Sequence, residues 1–384
     1  MILPVVNPLT NEYTLVSPHR IKRPWLGQVE PPTVSNLPQY DPACYLCPGN
    51  TRSSGQKNPD YQQTYVFAND FSAVLDGPLP IAPVAPHPLL ATEPVGGGCD
   101  VLIFDRRHDL TLARISIDGL KRIIEEWIGI YHRRGAEDNI RYVQIFENKG
   151  SMMGCSNPHP HGQAWSLSAI PTYPAKELEN MKRYSLTDVP ASHAPRSKDG
   201  QSSFSINSGY RANRILGKPC LLCEYIHAEL NSTGADGRIV FKNEHWVAVV
   251  PWWAVWPFEI LLLPYQRHIP SIVELTEEEK TAFAQSISIV TKRYDNLFSS
   301  SFAYSMGIHQ RPIPLTAVAT GEDIFEEAHL HLHFTPPLLR SATVKKFMVG
   351  FDLMGEAQRD LTPEIAATRL RECSDIHYLD GKNI

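Results

Sequence analysis

The sequence has little net charge for its size and no long apolar run. Its 384 residues carry a formal net charge of −5 at pH 7, which argues against a broad nucleic-acid-binding surface because such surfaces are strongly basic. No stretch is apolar for long enough to cross a bilayer, and the first residues lack the basic region and apolar run of a secretory signal. We therefore expect a cytoplasmic protein that binds neither nucleic acid nor membrane. The 42% of hydrophobic residues can form a substantial core.

Cysteine is too scarce to form a disulfide framework. The chain has seven, an odd number, and without a secretory signal they favour metal or redox chemistry. Four of them form two Cys-x-x-Cys pairs, Cys44 with Cys47 and Cys220 with Cys223. Such a turn supplies two thiolates to a zinc ion. Thioredoxin-like redox chemistry is the alternative, but it needs a different strand and helix context.

Five features of the sequence recur in the same order in each half of the chain. The first half has CYLC (44–47), VFANDF (66–71), VLIF (101–104) followed by His108, a helical segment, and the pair His159 and His161. The second half has CLLC (220–223), VFKNEHW (240–246), ILLLP (260–264) followed by His268, a helical segment, and HLHLH (329–333). A single match could arise by chance, but five in order predict an internal duplication.

The two helical segments carry apolar residues at helical spacing. The first, over 115–135, has Gly135 as its expected stop, and the second, over 275–298, begins with a capping box formed by Thr276 and Glu279. The pattern predicts an α+β fold of two duplicated halves, with a mostly antiparallel mixed sheet and flanking helices. We expect the halves at 1–185 and 206–384, joined by a polar Ser- and Pro-rich segment at 185–205. A Pro- and Gly-rich loop at 77–98 should lack regular structure.

The stretch GCSNPHPHGQAW (154–165) alternates polar residues with proline and glycine. In an extended chain, alternate residues point to one side, so Asn157, His159, His161 and Gln163 should form one polar row. Proline has no backbone N–H to donate and is found at sheet edges and strand ends. We therefore expect this row at a sheet edge that a ligand can reach.

The histidines of this row can have separate roles. Zinc commonly takes four Cys and His ligands, and His108 and His159 are the best partners for Cys44 and Cys47. His161 is then available to attack phosphorus, since a neutral imidazole is nucleophilic near neutral pH. The alternative is that His161 is a second metal ligand or a hydrogen-bonded buried histidine. The nearby small residues Gly154 and Ser156 can donate backbone N–H groups to a phosphate and favour the nucleophile.

Gln163 favours transfer between phosphates over hydrolysis. Glutamine can donate a hydrogen bond to a phosphoryl oxygen but cannot act as a general acid or base. A phosphate monoester, whose second pKa is about 6, is already an anionic nucleophile and a stable leaving group.

A second row of histidines lies in HLHLH. Three histidines on one side of a core strand would be costly without partners, so His329, His331 and His333 indicate metal binding, and His309 is close enough in sequence to join them. A solvated polar face is the alternative.

These motifs resemble the galactose-1-phosphate uridylyltransferase family of the histidine-triad superfamily, nearly from end to end. The matching segments are RIKRPW (20–25), CYLCPGN (44–50), GQKNPDY (55–61), FENKG (146–150), GCSNPHPHGQ (154–163), EHWVAVVPWWAVWPFE (244–259), RYDNLF (293–298), YSMGIH (304–309), HLHF (331–334), PPLLRSATVKKFMVGF (336–351) and AQRDLT (357–362). HPHGQ alone would indicate only the superfamily, whereas the combination is specific. The resemblance implies two histidine-triad-like halves and a ping-pong exchange of a uridylyl group between UDP-glucose and galactose 1-phosphate.

The resemblance also implies roles for individual residues. His161 matches the nucleophile and Gln163 the residue that holds the transferring phosphoryl group. The zinc ligands carry over as Cys44, Cys47, His108 and His159, and those of a second metal, iron or zinc, as Glu177, His309, His331 and His333. The implied nucleotide and substrate contacts are Arg20, Arg23, Asn69, Asp70, Asn148, Gly154, Ser156, Gln163, Lys346, Phe347, Phe351, Asp352 and Gln358.

The segment 346–358 implies a homodimer with shared active sites, because in the family it contacts the nucleotide bound to the partner subunit. The chain also departs from the family pattern. Phe351 and Asp352 stand where Tyr and Glu are frequent, and Ser53 where Val is frequent, which affects the grip on uridine and sugar. The insertion at 185–205 is unusual compared with the commoner bacterial members of the family.

The second Cys-x-x-Cys pair has two interpretations. By the repeat, Cys220, Cys223, His268 and His329 match the first zinc ligands and would form a further zinc site. The alternative is a pair of buried, reduced cysteines without metal.

Other functions remain open at this point. A related nucleotidyltransferase or phosphorylase could act on another nucleotide donor, and a metal-stabilised nucleotide-binding protein would show no turnover. The presence of both His161 and Gln163 favours an enzyme.

Overall fold

The computed structural model describes residues 3–22, 37–79, 81–186, 219–232, 234, 237–313, 325–337 and 348–380. Three expected nucleotide contacts, Arg23, Lys346 and Phe347, lie outside the described residues. So does nearly all of the Ser- and Pro-rich segment at 185–205, with the proposed boundary between the halves.

Within the described part of the chain, nine strands form one large sheet in which every neighbouring pair is antiparallel. They are β3 (Tyr65–Ala68), β4 (Gly97–Ile103), β5 (Tyr142–Lys149), β6 (His161–Leu167), β7 (Ile239–Lys242), β8 (Trp246–Val249), β9 (Ile260–Pro264), β10 (Tyr304–His309) and β11 (His331–Thr335). Their order across the sheet is β3-β4-β6-β5-β10-β11-β9-β8-β7. A separate small sheet joins β1 (Leu3–Val6), β2 (Tyr13–Val16) and β12 (Ala357–Arg359), in which β12 runs parallel to β2. The predicted α+β class with a mostly antiparallel, mixed sheet is confirmed.

The described helices are α1 (Ile117–Gly135), α2 (Thr172–Ser185), α3 (Leu221–Asn231), α4 (Glu277–Leu297), α5 (Phe351–Met354) and α6 (Pro363–Arg371). Helix α1 begins where the Ser116 hydroxyl accepts a hydrogen bond from the Gly119 amide, and α4 begins with the predicted capping box of Thr276 and Glu279. No described helix has the length and apolar character needed to cross a membrane. Among its described residues, the loop at 77–98 has only a 3-10 turn at Pro88–Leu90 and the first residues of β4.

The duplication predicted from the sequence is visible in the strand order. Outward from the β5/β10 pair, the strands β6, β4 and β3 of the first half are mirrored by β11, β9 and β8 of the second, and β7 is an additional edge strand. The expected match of VFANDF (66–71) with VFKNEHW (240–246) is therefore wrong, because Val66 lies in β3 whereas Val240 lies in β7. The register agrees, because Gln163 pairs with Phe146, Phe146 with Gly307, and Gly307 with His333. An approximate two-fold axis therefore passes through the pair Phe146 and Gly307.

One face of the sheet holds the main core. Helices α1 and α4 lie on this face, where Trp127 of α1 contacts Phe283 of α4, and Phe283 in turn stacks on Trp246 of β8 with ring centroids 4.0 Å apart. All three rings are buried. Truncating a residue such as Trp127 to alanine should cost about 3–5 kcal/mol.

Among the residues that the structure describes, the opposite face carries two smaller apolar clusters, one at each end. The first surrounds Cys44 and Cys47 and packs against β3 and β4. The second surrounds Cys220 and Cys223 and packs against β8 and β9. Between them, the central strands carry candidate residues on this face, namely Asn148 of β5, His161 and Gln163 of β6, His309 of β10, and His331 and His333 of β11. The candidate functional residues therefore lie in the middle of the sheet, between two Cys-x-x-Cys pairs.

The prediction that the row of His159 and His161 lies at a sheet edge is wrong. Strand β6 is paired on both sides, with β4 and with β5. The prolines do not interrupt this pairing because Pro158 and Pro160 precede the first strand residue, His161. The row is also divided, since only His161 and Gln163 belong to the strand.

Candidate active site and metal clusters

His161 is held in one tautomer by the backbone of its own segment. Its Nδ1 lies 2.8 Å from the carbonyl oxygen of His159, and because a carbonyl can only accept, Nδ1 must carry the hydrogen. The Nε2 atom therefore carries the lone pair. Burial lowers the pKa of His161, so the ring is neutral near pH 7. These are the properties of a nitrogen nucleophile.

His161 lines an open cavity with an empty volume of about 310 Å³. The other lining residues are Phe146, Asn148, Gly154, Cys155, Ser156, Gly162 and Gln163. A side chain at Gly162 would lie 2.8 Å from the Phe104 ring and 3.0 Å from the Phe146 carbonyl oxygen, so this close approach requires glycine. The cavity brings together five of the predicted contacts: Asn148, Gly154, Ser156, His161 and Gln163.

The turn at Gly154 differs from the sequence-based expectation. Gly154 has a φ of 74°, which favours glycine. Its amide, which we expected to donate to a phosphate, donates to the Ser151 carbonyl at 3.0 Å and closes a 3-10 turn. Ser156 therefore becomes the better candidate for a backbone donor in this turn.

Two hydrogen bonds orient the carboxamide of Gln163. The indole Nε1 of Trp165 donates to Gln163 Oε1 at 3.0 Å, and the Asn69 side-chain nitrogen donates to the same oxygen at 3.3 Å. Since both donors bind the carbonyl oxygen, the Gln163 NH2 group is the part that can bind a ligand. Asn69, which was expected to contact nucleotide, contacts Gln163 in this structure.

Residues that the sequence did not single out also support the site. Ser305 of β10 donates to Asn148 Oδ1 at 2.6 Å, and Phe146 and Cys155 line the cavity. The alternation of Ser305, Gly307 and His309 along β10 was the sequence signal that could have identified Ser305. Asp70 lies 3.6 Å from the buried guanidinium of Arg52 and accepts from the Ser54 amide at 3.4 Å.

The first metal cluster contains the predicted residues Cys44, Cys47, His108 and His159. One ligand atom from each lies within 4.8 Å of all the others, and all four residues are buried. The Leu46 amide donates to Cys44 Sγ at 3.3 Å, and the Asn157 side-chain amide lies 3.4 Å from the same sulfur. Burial raises the pKa of Cys47 to about 11, so a cation is needed to hold it as a thiolate at neutral pH. Two sulfurs and two imidazoles fit zinc.

The central cluster contains Glu177 of α2, His309 of β10, and His331 and His333 of β11. Glu177 Oε2 lies 2.5 Å from His309 Nδ1 and 3.3 Å from His331 Nε2, and Oε1 lies 3.3 Å from His333 Nε2. Burial would raise the pKa of Glu177, but the imidazoles of His309 and His333 hold it well below its usual range. Among the described residues, the buried His333 Nε2 has no hydrogen-bond partner despite its proximity to the carboxylate, which fits a metal ligand. A carboxylate with three imidazoles suits iron or zinc.

Cys220, Cys223, His268 and His329 form a third cluster whose ligand atoms also lie within 4.8 Å of one another. The repeat-based prediction that these four residues come together is thus confirmed, and the bound species remains a prediction.

Four other predicted contacts do not line the cavity of this chain. Arg20 lies 3.7 Å from Asp360, and Gln358 donates to Asp360 at 2.8 Å. The Asp352 carboxylate accepts a hydrogen bond from the backbone N–H of Gln358, and Phe351 is exposed on α5. These residues gather around the small sheet of β1, β2 and β12.

Curated relatives match this chain over almost its whole length. A galactose-1-phosphate uridylyltransferase of Cryptococcus neoformans is 48% identical over 373 residues, which cover 95% of this chain and 88% of the relative. The chain belongs to the galactose-1-phosphate uridylyltransferase family. Its members from Haemophilus influenzae and Rattus norvegicus are 44% and 43% identical, each over 97% of this chain and over 94% and 88% of their own lengths.

The family model matches the chain in two parts. The family's "Galactose-1-phosphate uridyl transferase, N-terminal domain" matches residues 4–171, and the corresponding C-terminal domain matches residues 203–382. A solved structure described as a uridylyltransferase has the same fold, with a TM-score of 0.67 and 23% identity over 97% of each chain. An ADP-glucose phosphorylase of Arabidopsis thaliana also shares the fold, with a TM-score of 0.65 and 20% identity over 97% of this chain and 99% of that one. The chain is an enzyme, a uridylyltransferase.

Proposed function

We propose that the enzyme exchanges a uridylyl group between UDP-glucose and galactose 1-phosphate, giving glucose 1-phosphate and UDP-galactose in galactose metabolism. The names of the relatives support these substrates, since each carries galactose 1-phosphate in its name. The observation that carries the mechanism is the tautomer of His161, whose Nδ1–H donates to the His159 carbonyl at 2.8 Å. This hydrogen bond leaves Nε2 as a neutral nucleophile in the cavity wall.

The first step is attack of His161 Nε2 on the α-phosphorus of UDP-glucose. A nitrogen–phosphorus bond forms, the bond from the α-phosphorus to the bridging oxygen breaks, and glucose 1-phosphate leaves with the electron pair. The positive charge that develops on the ring is stabilised by the Nδ1–H bond to His159. Since the leaving group is a phosphate with a second pKa of about 6, no general acid is required.

The second step reverses the first with a different sugar phosphate. An oxygen of galactose 1-phosphate attacks the same phosphorus, the nitrogen–phosphorus bond breaks, and His161 returns to its neutral form. In both steps the NH2 group of Gln163, oriented by Trp165 and Asn69, donates to a phosphoryl oxygen. Glutamine has no proton to exchange at neutral pH, which favours transfer between phosphates over hydrolysis.

Metals are assigned a structural role in this proposal. Cys44, Cys47, His108 and His159 would hold zinc, and Glu177, His309, His331 and His333 would hold iron or zinc. When bound, such ions cross-link segments distant in sequence. The central cluster lies on β10 and β11, two to three strands from β6, which is about 10–14 Å at ordinary strand spacing. The first cluster includes His159, whose carbonyl orients His161.

A homodimer with shared active sites is also part of the proposal. Arg20, Phe351, Asp352 and Gln358, which the family resemblance assigns to nucleotide or substrate, lie away from the cavity of their own chain. A nucleotide in the cavity of one subunit would therefore meet the segment 346–358 of the other subunit.

A labelling experiment tests the mechanism. The enzyme is incubated with UDP-glucose radiolabelled in the uracil ring, denatured, and treated with acid or base. We expect label on the protein that is stable to base and lost in acid, and its transfer to added galactose 1-phosphate. Absence of such label would refute the covalent mechanism. Release of label with inorganic phosphate, but not with any sugar phosphate, would identify a phosphorylase instead.

A further inference from the structure

We propose that Cys220, Cys223, His268 and His329 form a third metal site, which binds zinc. This site is independent of the proposed uridylyl transfer and lies at the opposite end of the sheet from the first cluster. Cys220 and Cys223 sit at the start of α3, His268 follows β9, and His329 precedes β11. Three of the four residues are buried and His268 is half-buried.

The distances within this cluster match the edges of a zinc tetrahedron. With ordinary Zn–S and Zn–N bonds, a tetrahedral ion sets its sulfur and nitrogen ligands about 3.5 Å apart and two nitrogens about 3.3 Å apart. Here Cys220 Sγ lies 3.6 Å from His329 Nδ1, and Cys223 Sγ lies 3.4 Å from the same atom and 3.8 Å from His268 Nδ1. The two Nδ1 atoms are 3.1 Å apart. The four ligand atoms can therefore surround one ion with little movement.

The tautomers of the two histidines also favour a cation. The Nε2 of His329 lies 3.0 Å from the Pro264 carbonyl oxygen, and the Nε2 of His268 lies 3.1 Å from the Glu326 carbonyl oxygen. Because a carbonyl only accepts, both Nε2 atoms carry hydrogen, and both Nδ1 atoms of the neutral rings carry lone pairs. A backbone carbonyl that fixes the ring in this way is a common support for a zinc-bound histidine.

Two reduced cysteines without a metal would leave the two Nδ1 lone pairs repelling each other. Each thiol could donate a weak hydrogen bond to one Nδ1, but the two lone pairs would still face each other at 3.1 Å. A zinc ion accepts both lone pairs at once and compensates the charge of two buried thiolates. The metal-free interpretation of Cys220 and Cys223 is thus less consistent with the geometry.

The first cluster has the same construction. Cys47 Sγ lies 3.7 Å from His108 Nδ1 and 3.4 Å from His159 Nδ1, and His159 Nε2 lies 2.9 Å from the Asp105 carbonyl oxygen. The two histidine rings cross at 69° there and at 77° in the third cluster. The duplication has therefore preserved ligand types, ring orientation and backbone support.

The third ion would support the central cluster through α3. This helix packs beside α2, where Tyr184 donates to Glu224 of α3 at 2.5 Å, and α2 carries Glu177. Zinc at Cys220 and Cys223 would tie α3 to the strands β9 and β11. The inferred role is structural.

The first test uses the unaltered enzyme. A crystal of the full-length protein, measured above and below the zinc absorption edge, should give an anomalous peak among the four residues. The same data distinguish zinc from iron. No peak at this position, with a peak at the first cluster, would overturn the proposal.

The second test counts metal in solution. Wild-type protein should contain three metal ions per chain, and the double variant Cys220→Ser, Cys223→Ser should contain two. Cys373→Ser is the matched control, because it removes a half-buried sulfur that belongs to no described cluster and should leave the count at three. Equal zinc content in wild type and folded double variant would refute the site. If the double variant does not fold, the anomalous peak decides.

Discussion

His161 and His331 occupy equivalent positions in the two halves and make the same backbone hydrogen bond. Nδ1 of His161 donates to the His159 carbonyl at 2.8 Å, and Nδ1 of His331 donates to the His329 carbonyl at 2.6 Å. In the first half the other ring nitrogen belongs to a cavity, whereas in the second it lies 3.3 Å from Glu177. One local arrangement thus presents either a nucleophile or a metal ligand, depending on what faces it.

Removing the imidazole of His161 should abolish turnover. His161→Ala should lower kcat by about 10⁴-fold or more, as is typical for loss of a nucleophile, and should give no base-stable label from UDP-glucose. His132→Ala is the control, since His132 is exposed on α1. Retention of label in His161→Ala would contradict the assignment.

A negative charge at Gln163 should slow the chemical steps. In Gln163→Glu a carboxylate oxygen can still accept from Trp165 and Asn69, but the NH2 donor is lost and the new charge repels the phosphoryl group. We expect kcat to fall by roughly 10²–10³-fold, with slower formation of the labelled intermediate in a single-turnover measurement. A wild-type rate of labelling would show that this donor is not needed.

Loss of Glu177 should release the central metal and destabilise the fold. Glu177→Gln replaces a buried carboxylate that faces three imidazoles, and breaking such a buried charged arrangement costs about 3–5 kcal/mol. We expect one metal ion fewer per chain and a lower Tm, while His161 still accepts the label at low temperature. The matched control is Glu179→Gln on the same helix, where the carboxylate is exposed and pairs with Arg183 at 2.9 Å. Unchanged metal content in Glu177→Gln would exclude it as a ligand.

The burial of Glu147 should make the free energy of unfolding depend on pH. Burial raises its pKa to about 7, although Tyr304 donates to its carboxylate at 2.8 Å. Because the folded state holds this proton more tightly than the unfolded state, the contribution to stability is present below about pH 4.5 and is lost as the pH rises through 7.

Glu147→Gln should therefore raise the free energy of unfolding at pH 8 relative to wild type, by up to about 3 kcal/mol, and by much less at pH 5. Urea unfolding of both proteins at the two pH values measures this. An equal effect at both pH values would contradict the assigned titration.

Much of this architecture was predictable because the duplicated halves carry the same types of residue at matching positions. The order of Cys-x-x-Cys, strand, helix and histidine row was enough to predict the third cluster, since Cys220 and His329 repeat Cys44 and His159. Sequence failed where the answer depends on strand partners. Pro160 correctly marked a strand end, but only the pairing of β6 with β4 and β5 shows that the strand is interior.

Other parts of the site could not be read from local sequence. Glu177 came from the family resemblance alone, because Glu177 and Glu179 look alike on a charged helix and differ only in which one faces the sheet. The Gly154 amide was assigned to a phosphate, but the turn that brings Gly154 to the cavity uses that amide itself. Ser305 supports Asn148 from a strand 157 residues away in the chain.

The pairing of β5 with β10, here called the seam, joins the two halves, and either half in isolation would lack it. A fragment ending after α2 would leave Tyr142–Lys149 as an open edge strand, with a row of unpaired backbone groups. Because the seam is antiparallel and lies on the approximate two-fold axis, this edge is complementary to itself. Two copies of the fragment would associate through β5 and rebuild an eight-stranded sheet, so the intact chain corresponds to a dimer of halves made permanent by covalent linkage.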